Sequence, residues 1–234
     1  MSTRLLPLLA VLSLMVVMQG CAAVNSAMGG NDQKEAKAEV SWDYARGAIQ
    51  IELVANADMN AYFNQAHTLV LGLFQIDDAK TFMQLVNDPK TLTQMLASGN
   101  PGKEILQLDR YVVSPDKRTL LTLDRVQDAK YLGVVAGYYN FDAQGASRLF
   151  RIPLNIQKDG WVTTTYTARP SNLAIRLFLG RQRIVNAQSL TFDPDKKPDV
   201  ETIPLDIKNP EIELTDKELG TADESSGAAM KLRQ

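Results

Sequence analysis

The sequence predicts an all-β chain: a β-sandwich with a small inserted helical excursion and an extended acidic C-terminal tail. Three observations carry this. Ile49, Ile51 and Leu53 alternate with Gln50 and Glu52, the period of two expected of a half-buried strand. Similar short runs recur at regular spacing as far as Ile184, the pattern of a sandwich. Thr81 to Ser98 instead shows helical spacing, and beyond Leu190 the apolar pattern gives way to proline and acidic residues.

In chain order, Arg4 precedes an apolar stretch from Leu5 to Met18. That stretch is too short for a bilayer span and matches the core of an export signal. Gly20, Cys21, Ala22 and Ala23 follow, and Cys21 is the only cysteine. The placement resembles a bacterial lipobox, with Met18 and Gln19 where Leu and a small residue are usual. The resemblance implies that residues 1–20 are a lipoprotein signal peptide and that the Cys21 thiol carries a diacylglycerol. Alanine after the cysteine resembles the pattern that sends enteric lipoproteins to the outer membrane. An ordinary signal peptide with a chance cysteine is the other reading of these residues.

Residues 21–47 lack a clear apolar period and read as a lipidated N-terminus and tether. Fully extended, such a tether reaches roughly 90 Å. Ala, Glu and Lys favour a short helix over Lys34 to Val40, and Trp42 and Tyr44 are placed to dock the tether onto the body.

Residues 48–189 are the expected sandwich. After the first strand comes a polar loop, Asn56 to Ala66, with His67 at its end; Thr68 to Ile76 is apolar on both faces and predicts a central strand. The helical insert, 81–98, divides into two short helices. Phe82, Leu85 and Val86 lie in the first and Leu92, Met95 and Leu96 in the second, with Asp88 and Pro89 as a helix start. Ile105–Val113 and Thr119–Leu123, joined by Ser114-Pro115-Asp116-Lys117, predict a hairpin. Tyr131–Tyr139 is a strand whose glycines, Gly133 and Gly137, suggest close packing or a bulge. Asn140–Ser147 reads as a loop, and Arg148–Ile156, Trp161–Thr167 and Ala174–Ile184 as the remaining strands.

The tail, 190–234, contains 11 acidic and 6 basic side chains and four prolines, and predicts extended or disordered chain, with one edge strand possible through Ile203, Leu205 and Ile207. The net charge of −2 thus averages an acidic tail and a mildly basic body. It argues against a general nucleic-acid binder. One cysteine excludes an internal disulfide, and one histidine leaves little for His-based catalysis or a multi-His metal site.

Most polar residues have structural readings. His67 ends a loop before a strand. Asp77 and Asp78 are turn residues rather than paired acid–base carboxylates, and Asp124 and Arg125 form an ion pair or turn bond. Gly133 and Gly137 lack the following helix that a phosphate loop requires. Arg176, Arg181 and Arg183 form a solvated basic face, or one that meets lipid headgroups or an acidic partner. Tyr62 and Phe63 stand in a polar loop, where they either fold back onto the body or meet a partner.

Three segments, "WDYARGAIQIELVANADMN" from Trp42, "HTLVLGLFQIDDAKTF" from His67 and "LDRVQDAKYLGVVAGYY" from Leu123, followed by "RLFRIP" from Arg148, stand in this order behind the lipobox. Together they resemble the outer-membrane lipoproteins of type VI secretion systems, the TssJ family, over about Trp42 to Val185. The resemblance implies a transthyretin-like sandwich and a non-enzymatic scaffold held by lipid on the periplasmic face of the outer membrane. It implies binding to the periplasmic domain of TssM, and indirectly to TssL, with no cofactor beyond the lipid on Cys21, no small-molecule substrate and no nucleic acid. It places the partner contact in the loop between the first two strands, here Asp58, Met59, Asn60, Tyr62, Phe63 and Asn64. Other readings are a periplasmic binding module or pilotin of another envelope machine, or a carboxylate-dependent hydrolase.

Overall fold

The computed structural model describes residues 25–161 and 163–191. The signal segment with Cys21, and the tail beyond Thr191 with its expected edge strand, lie outside them. In chain order the elements are α1 (Gln33–Ala38), β1 (Ala45–Ala55), β2 (Leu69–Ile76), α2 (Ala79–Val86), α3 (Pro89–Ser98), β3 (Gln107–Val113), β4 (Arg118–Arg125) and β5 (Tyr131–Gly137). There follow α4 (Ala143–Ala146), β6 (Ser147–Arg151), β7 (Leu154–Asp159), β8 (Thr165–Pro170), β9 (Leu173–Leu179) and β10 (Ile184–Ser189). Two compact units result: one of the chain up to Ser41 with Leu154–Pro170, the other of Trp42–Pro153 and the chain from Ser171 onward.

The second unit is a two-sheet sandwich. One sheet has the order β10-β9-β1-β4 and the other β3-β2-β5-β6. All pairings are antiparallel except β1 with β9, which run parallel with Ile49 opposite Leu173 and Ala55 opposite Leu179. Alternation puts Ile49, Ile51 and Leu53 of β1 and Ile175 and Leu177 of β9 inward, against Leu71, Leu73, Leu132, Val134 and Phe150 of the facing sheet.

β2 is central, between β3 and β5, and apolar on both faces because its outer face is also covered. There α2 and α3 bury Phe82, Leu85, Val86, Leu92 and Leu96 against Phe74, Ile76, Val135 and Leu149. A Cβ on Gly133 would lie 2.2 Å from the Phe82 ring, and one on Gly72 2.4 Å from Leu96. Of the alternatives for Gly133, close packing is therefore the one realised. Asp78 caps α2, and Asp88 caps α3 with Pro89 in its first turn.

Several boundaries differ from the sequence expectations. β3 and β4 do not form a hairpin: β3 pairs with β2 and β4 with β1, so the turn at 114–117 carries the chain between sheets. Local alternation specifies strands but not their partners. The expected strand Arg148–Ile156 breaks at buried Ile152 and Pro153, where β6 ends and β7 leaves the sandwich. The expected strand Trp161–Thr167 begins only at Thr165, and Ala174–Ile184 divides at Gly180 into β9 and the start of β10. The expected loop Asn140–Ser147 contains the single turn α4, capped by Asp142. Asp124 and Arg125 do not pair. Adjacent strand residues point to opposite faces, so Asp124 accepts bonds from the Tyr44 hydroxyl and Gly47 N–H, while Arg125 turns inward and donates to the Asp43 carbonyl.

The smaller unit contains α1, whose start has a reciprocal capping box between Asp32 and Glu35, and the hairpin of β7 and β8.

Candidate partner-binding site

The β1–β2 loop occupies one end of the sandwich. The turns at 114–117, 138–146 and 180–183 lie at this same end, since Ala55 pairs with Leu179, Val54 with Arg118 and Leu69 with Val113. The loop is fixed by backbone bonds. The N–H groups of Asn56, Asn60 and Ala61 donate to the carbonyls of Leu179, Gly180 and Arg181, and His67 N–H donates to the Met59 carbonyl. The loop thus follows the β9–β10 turn as a short extension of the sheet.

The structure separates the six residues expected to meet a partner. Met59 is fully buried and belongs to the sandwich core. Asn60 is also buried. Its Nδ2 donates to the Thr68 carbonyl (2.8 Å), and its Oδ1 accepts from Tyr139 N–H (2.7 Å). Neither presents a surface, which corrects their assignment as contact residues: a buried amide with donor and acceptor both engaged is a brace for the loop. Asp58, Phe63 and Asn64 are exposed and Tyr62 is half-buried.

Tyr62 and Gln65 exchange both backbone hydrogen bonds, at 2.9 and 3.0 Å, around Phe63 and Asn64, whose φ values are +47° and +59°. This is a two-residue turn of the I′ kind, which favours Asn and Gly because both central residues are left-handed. An aromatic at its first central position is strained. The turn holds Phe63 outward at 82% exposure. Tyr62 lies with its ring centroid 3.8 Å from that of Tyr139 and 4.3 Å from that of Phe63, and Tyr139 is itself 60% exposed. A hydrogen bond with Tyr139 pushes the Tyr62 phenol above its ordinary pKa. Tyr139, two residues past the end of β5 in the β5–β6 connection, is a member of this patch that the sequence reading placed in a strand.

Basic side chains flank the aromatic patch. Arg181 donates from Nη2 to Asn64 Oδ1 at 2.9 Å. Arg148 is half-buried and donates to the carbonyls of Ser147 (2.7 Å) and Ile184 (2.8 Å). Burial first, and then the neighbouring Arg183 charge, lower its pKa. Arg181 and Arg183 thus stand beside an apolar, exposed ridge, with Asp58 of the loop and the α4 cap Asp142 at the same end.

Elsewhere, a cleft of about 360 Å³ lies between α2, α3 and the 101–105 segment, with Asp88, Lys103 and Glu104 in its lining. Hydrogen bonds from the Thr91 hydroxyl and N–H hold the Asp88 carboxyl below its ordinary pKa. A carboxylate kept ionised as a helix cap is poorly suited to donate a proton.

Comparison with curated proteins returns no match. Among solved structures, the type VI secretion lipoprotein TssJ1 from Pseudomonas aeruginosa is 18% identical, covering 64% of this chain and 98% of its own, with a TM-score of 0.44. Lip from Serratia marcescens, described as a membrane-bound component of the type VI secretion system, is 16% identical, covering 64% of this chain and 99% of its own, also with a TM-score of 0.44. The family model described as type VI secretion lipoprotein, with VasD, EvfM and TssJ as members, matches residues 47–177. That is more than half of the 234 residues, and the chain belongs to the type VI secretion lipoprotein (TssJ) family.

Proposed function

We propose that this protein is a non-enzymatic scaffold of the type VI secretion membrane complex, anchored to the periplasmic face of the outer membrane by lipid on Cys21, and that its β1–β2 loop binds the periplasmic domain of TssM, coupling it indirectly to TssL. The observation that carries the binding reading is the ridge of Tyr62, Phe63 and Tyr139. Large aromatics exposed on a rigid, strained turn form an interface hot spot in waiting. Its position adds support. Within the sandwich unit Trp42 and Thr191 lie at the opposite end, where β1 begins and Leu190 N–H bonds back to Ala174. The 11 residues of β1 separate the two ends by about 36 Å, so the ridge faces away from where the tether enters this unit.

The test is titration calorimetry between the purified chain and the TssM periplasmic domain. Phe63→Ala and Tyr139→Ala should each weaken binding about tenfold or more, the loss expected of a hot spot, with little change in thermal stability. Undiminished affinity in both variants moves the interface off this loop. Absence of binding by the unaltered chain removes the TssM periplasmic domain as its partner.

A further inference from the structure

We propose that the tip of the β7–β8 hairpin, led by Trp161, is a second membrane contact that sits in the lipid headgroup region next to the acyl chains on Cys21. The inference rests on the anchoring reading above and goes beyond it by giving the membrane a protein surface to meet.

Trp161 follows Gly160 at the turn between β7 and β8 and is 97% exposed, more than any other large apolar side chain described. Gly160, at φ +86°, makes the turn tight: a Cβ there would lie 1.9 Å from the Thr163 carbonyl oxygen. An indole fully in water is unfavourable, whereas the membrane–water interface accepts both its apolar face and its N–H.

The hydrogen bonds of the N-terminal segment favour lipid over protein as the occupant. The carboxamide of Asn25 donates to the Thr164 carbonyl (2.9 Å) and accepts from Thr164 N–H (2.7 Å). Asn31 makes the same exchange two residues further on, at Tyr166 of β8, donating to the Tyr166 carbonyl at 2.9 Å and accepting from its N–H. The two side chains thus grip Thr164, just before β8, and Tyr166 within it, as a neighbouring strand would, and they fix Asn25 at the hairpin tip. Cys21 is four residues from Asn25, so covalent geometry alone limits their separation to about 14 Å. Thr164 is three residues from Trp161, so covalent geometry keeps Cys21 within about 30 Å of the exposed indole. Lys158 and Asp159 of β7 offset each other in charge, so the contact is driven by the indole and does not require anionic lipid.

The chain from Cys21 onward includes every described residue and has one thiol and two tryptophans, Trp42 and Trp161. Its Cys21 is coupled chemically to a maleimide phospholipid in phosphatidylcholine–phosphatidylethanolamine vesicles with or without brominated acyl chains. Trp42→Phe, which leaves Trp161 as reporter, should lose about half its emission in the brominated vesicles, as an interfacial tryptophan does. Trp161→Phe should lose almost none. The difference between the unaltered chain and Trp161→Phe gives the same measurement without replacing Trp42. Equal emission from Trp161 in both vesicle types overturns the proposal. So does loss of TssM binding in Trp161→Ala with no quenching, which would make the hairpin a protein contact. Because the coupling is chemical, neither outcome depends on acylation in the cell. That is tested separately by the mass of the N-terminal peptide from membrane-extracted protein.

Discussion

At the scale of single residues, Phe63 and Asn60 show opposite relations between position and role. Phe63 occupies a left-handed position that costs an ordinary residue roughly 1 kcal/mol or more, and among the described residues its ring contact is with Tyr62. Phe63→Asn should therefore raise stability by about 0.5–1 kcal/mol, because Asn tolerates this conformation, while weakening binding to TssM. Urea denaturation with calorimetry checks both; a stability loss would show that the turn is not strained. Asn60 contributes nothing to the surface but ties β2 to the β5–β6 connection. Asn60→Ala leaves the part-buried Thr68 carbonyl and Tyr139 N–H without this partner and should cost about 1–2 kcal/mol, read from the denaturation midpoint. The sequence identified both residues as members of one loop, because loop composition was visible. It could not separate them, because which side chains turn inward depends on bonds to Thr68 and Tyr139, partners outside the loop.

At the scale of elements, two arrangements hold the sandwich together beyond its core. The first is the seating of α2 on β5 through Phe82 and Gly133. Gly133→Ala forces a methyl into the Phe82 ring and should cost about 1–3 kcal/mol. Combined with Phe82→Leu, much of that cost should be recovered, and additive costs in the double variant would argue against direct contact. The second is Glu52, which joins three adjacent strands of one sheet through Arg118 of β4 and Arg176 of β9, the latter at 2.7 Å. Partial burial by itself pushes the Glu52 carboxyl up, but hydrogen bonds from Arg176 and Arg118 outweigh this and hold it below its ordinary pKa of 4.5. A group with a depressed folded pKa stabilises the fold above its unfolded value, and that contribution is lost as pH falls through the folded value. Stability should therefore decline as pH drops below 4.5, and the decline should be shallower in Glu52→Gln. Matching acid profiles for the two proteins would remove Glu52 from the account.

At the scale of the whole molecule, the proposal places anchoring and recognition in different segments, so the two should be separable by mutation. Cys21→Ser is expected to leave the fold and the affinity for TssM in solution intact, while releasing the protein from the membrane and abolishing type VI secretion. Secretion assays with fractionation check this, and normal secretion by the variant would discard the anchoring proposal. The near-neutral composition is consistent with a protein whose parts differ in charge. Residues 21–189 carry a slight basic excess, while the tail from Leu190 is acidic.

The sequence by itself determined the class of fold and the family, because both depend on local patterns. Alternation at Ile49–Leu53 and Leu173–Leu179 records one buried face, the doubly apolar run Leu69–Ile76 records two, and the spacing in Thr81–Ser98 records helices. Only the tertiary structure decided which strands are neighbours: β1 runs parallel to β9, more than 100 residues away, and the apparent β3–β4 hairpin opens across two sheets. It also decided which loop residues face out. Pairing and orientation are set by contacts between segments distant in sequence, and burying Met59 and Asn60 while leaving Phe63 in water is a property of the assembled end of the sandwich. No single strand or loop encodes it.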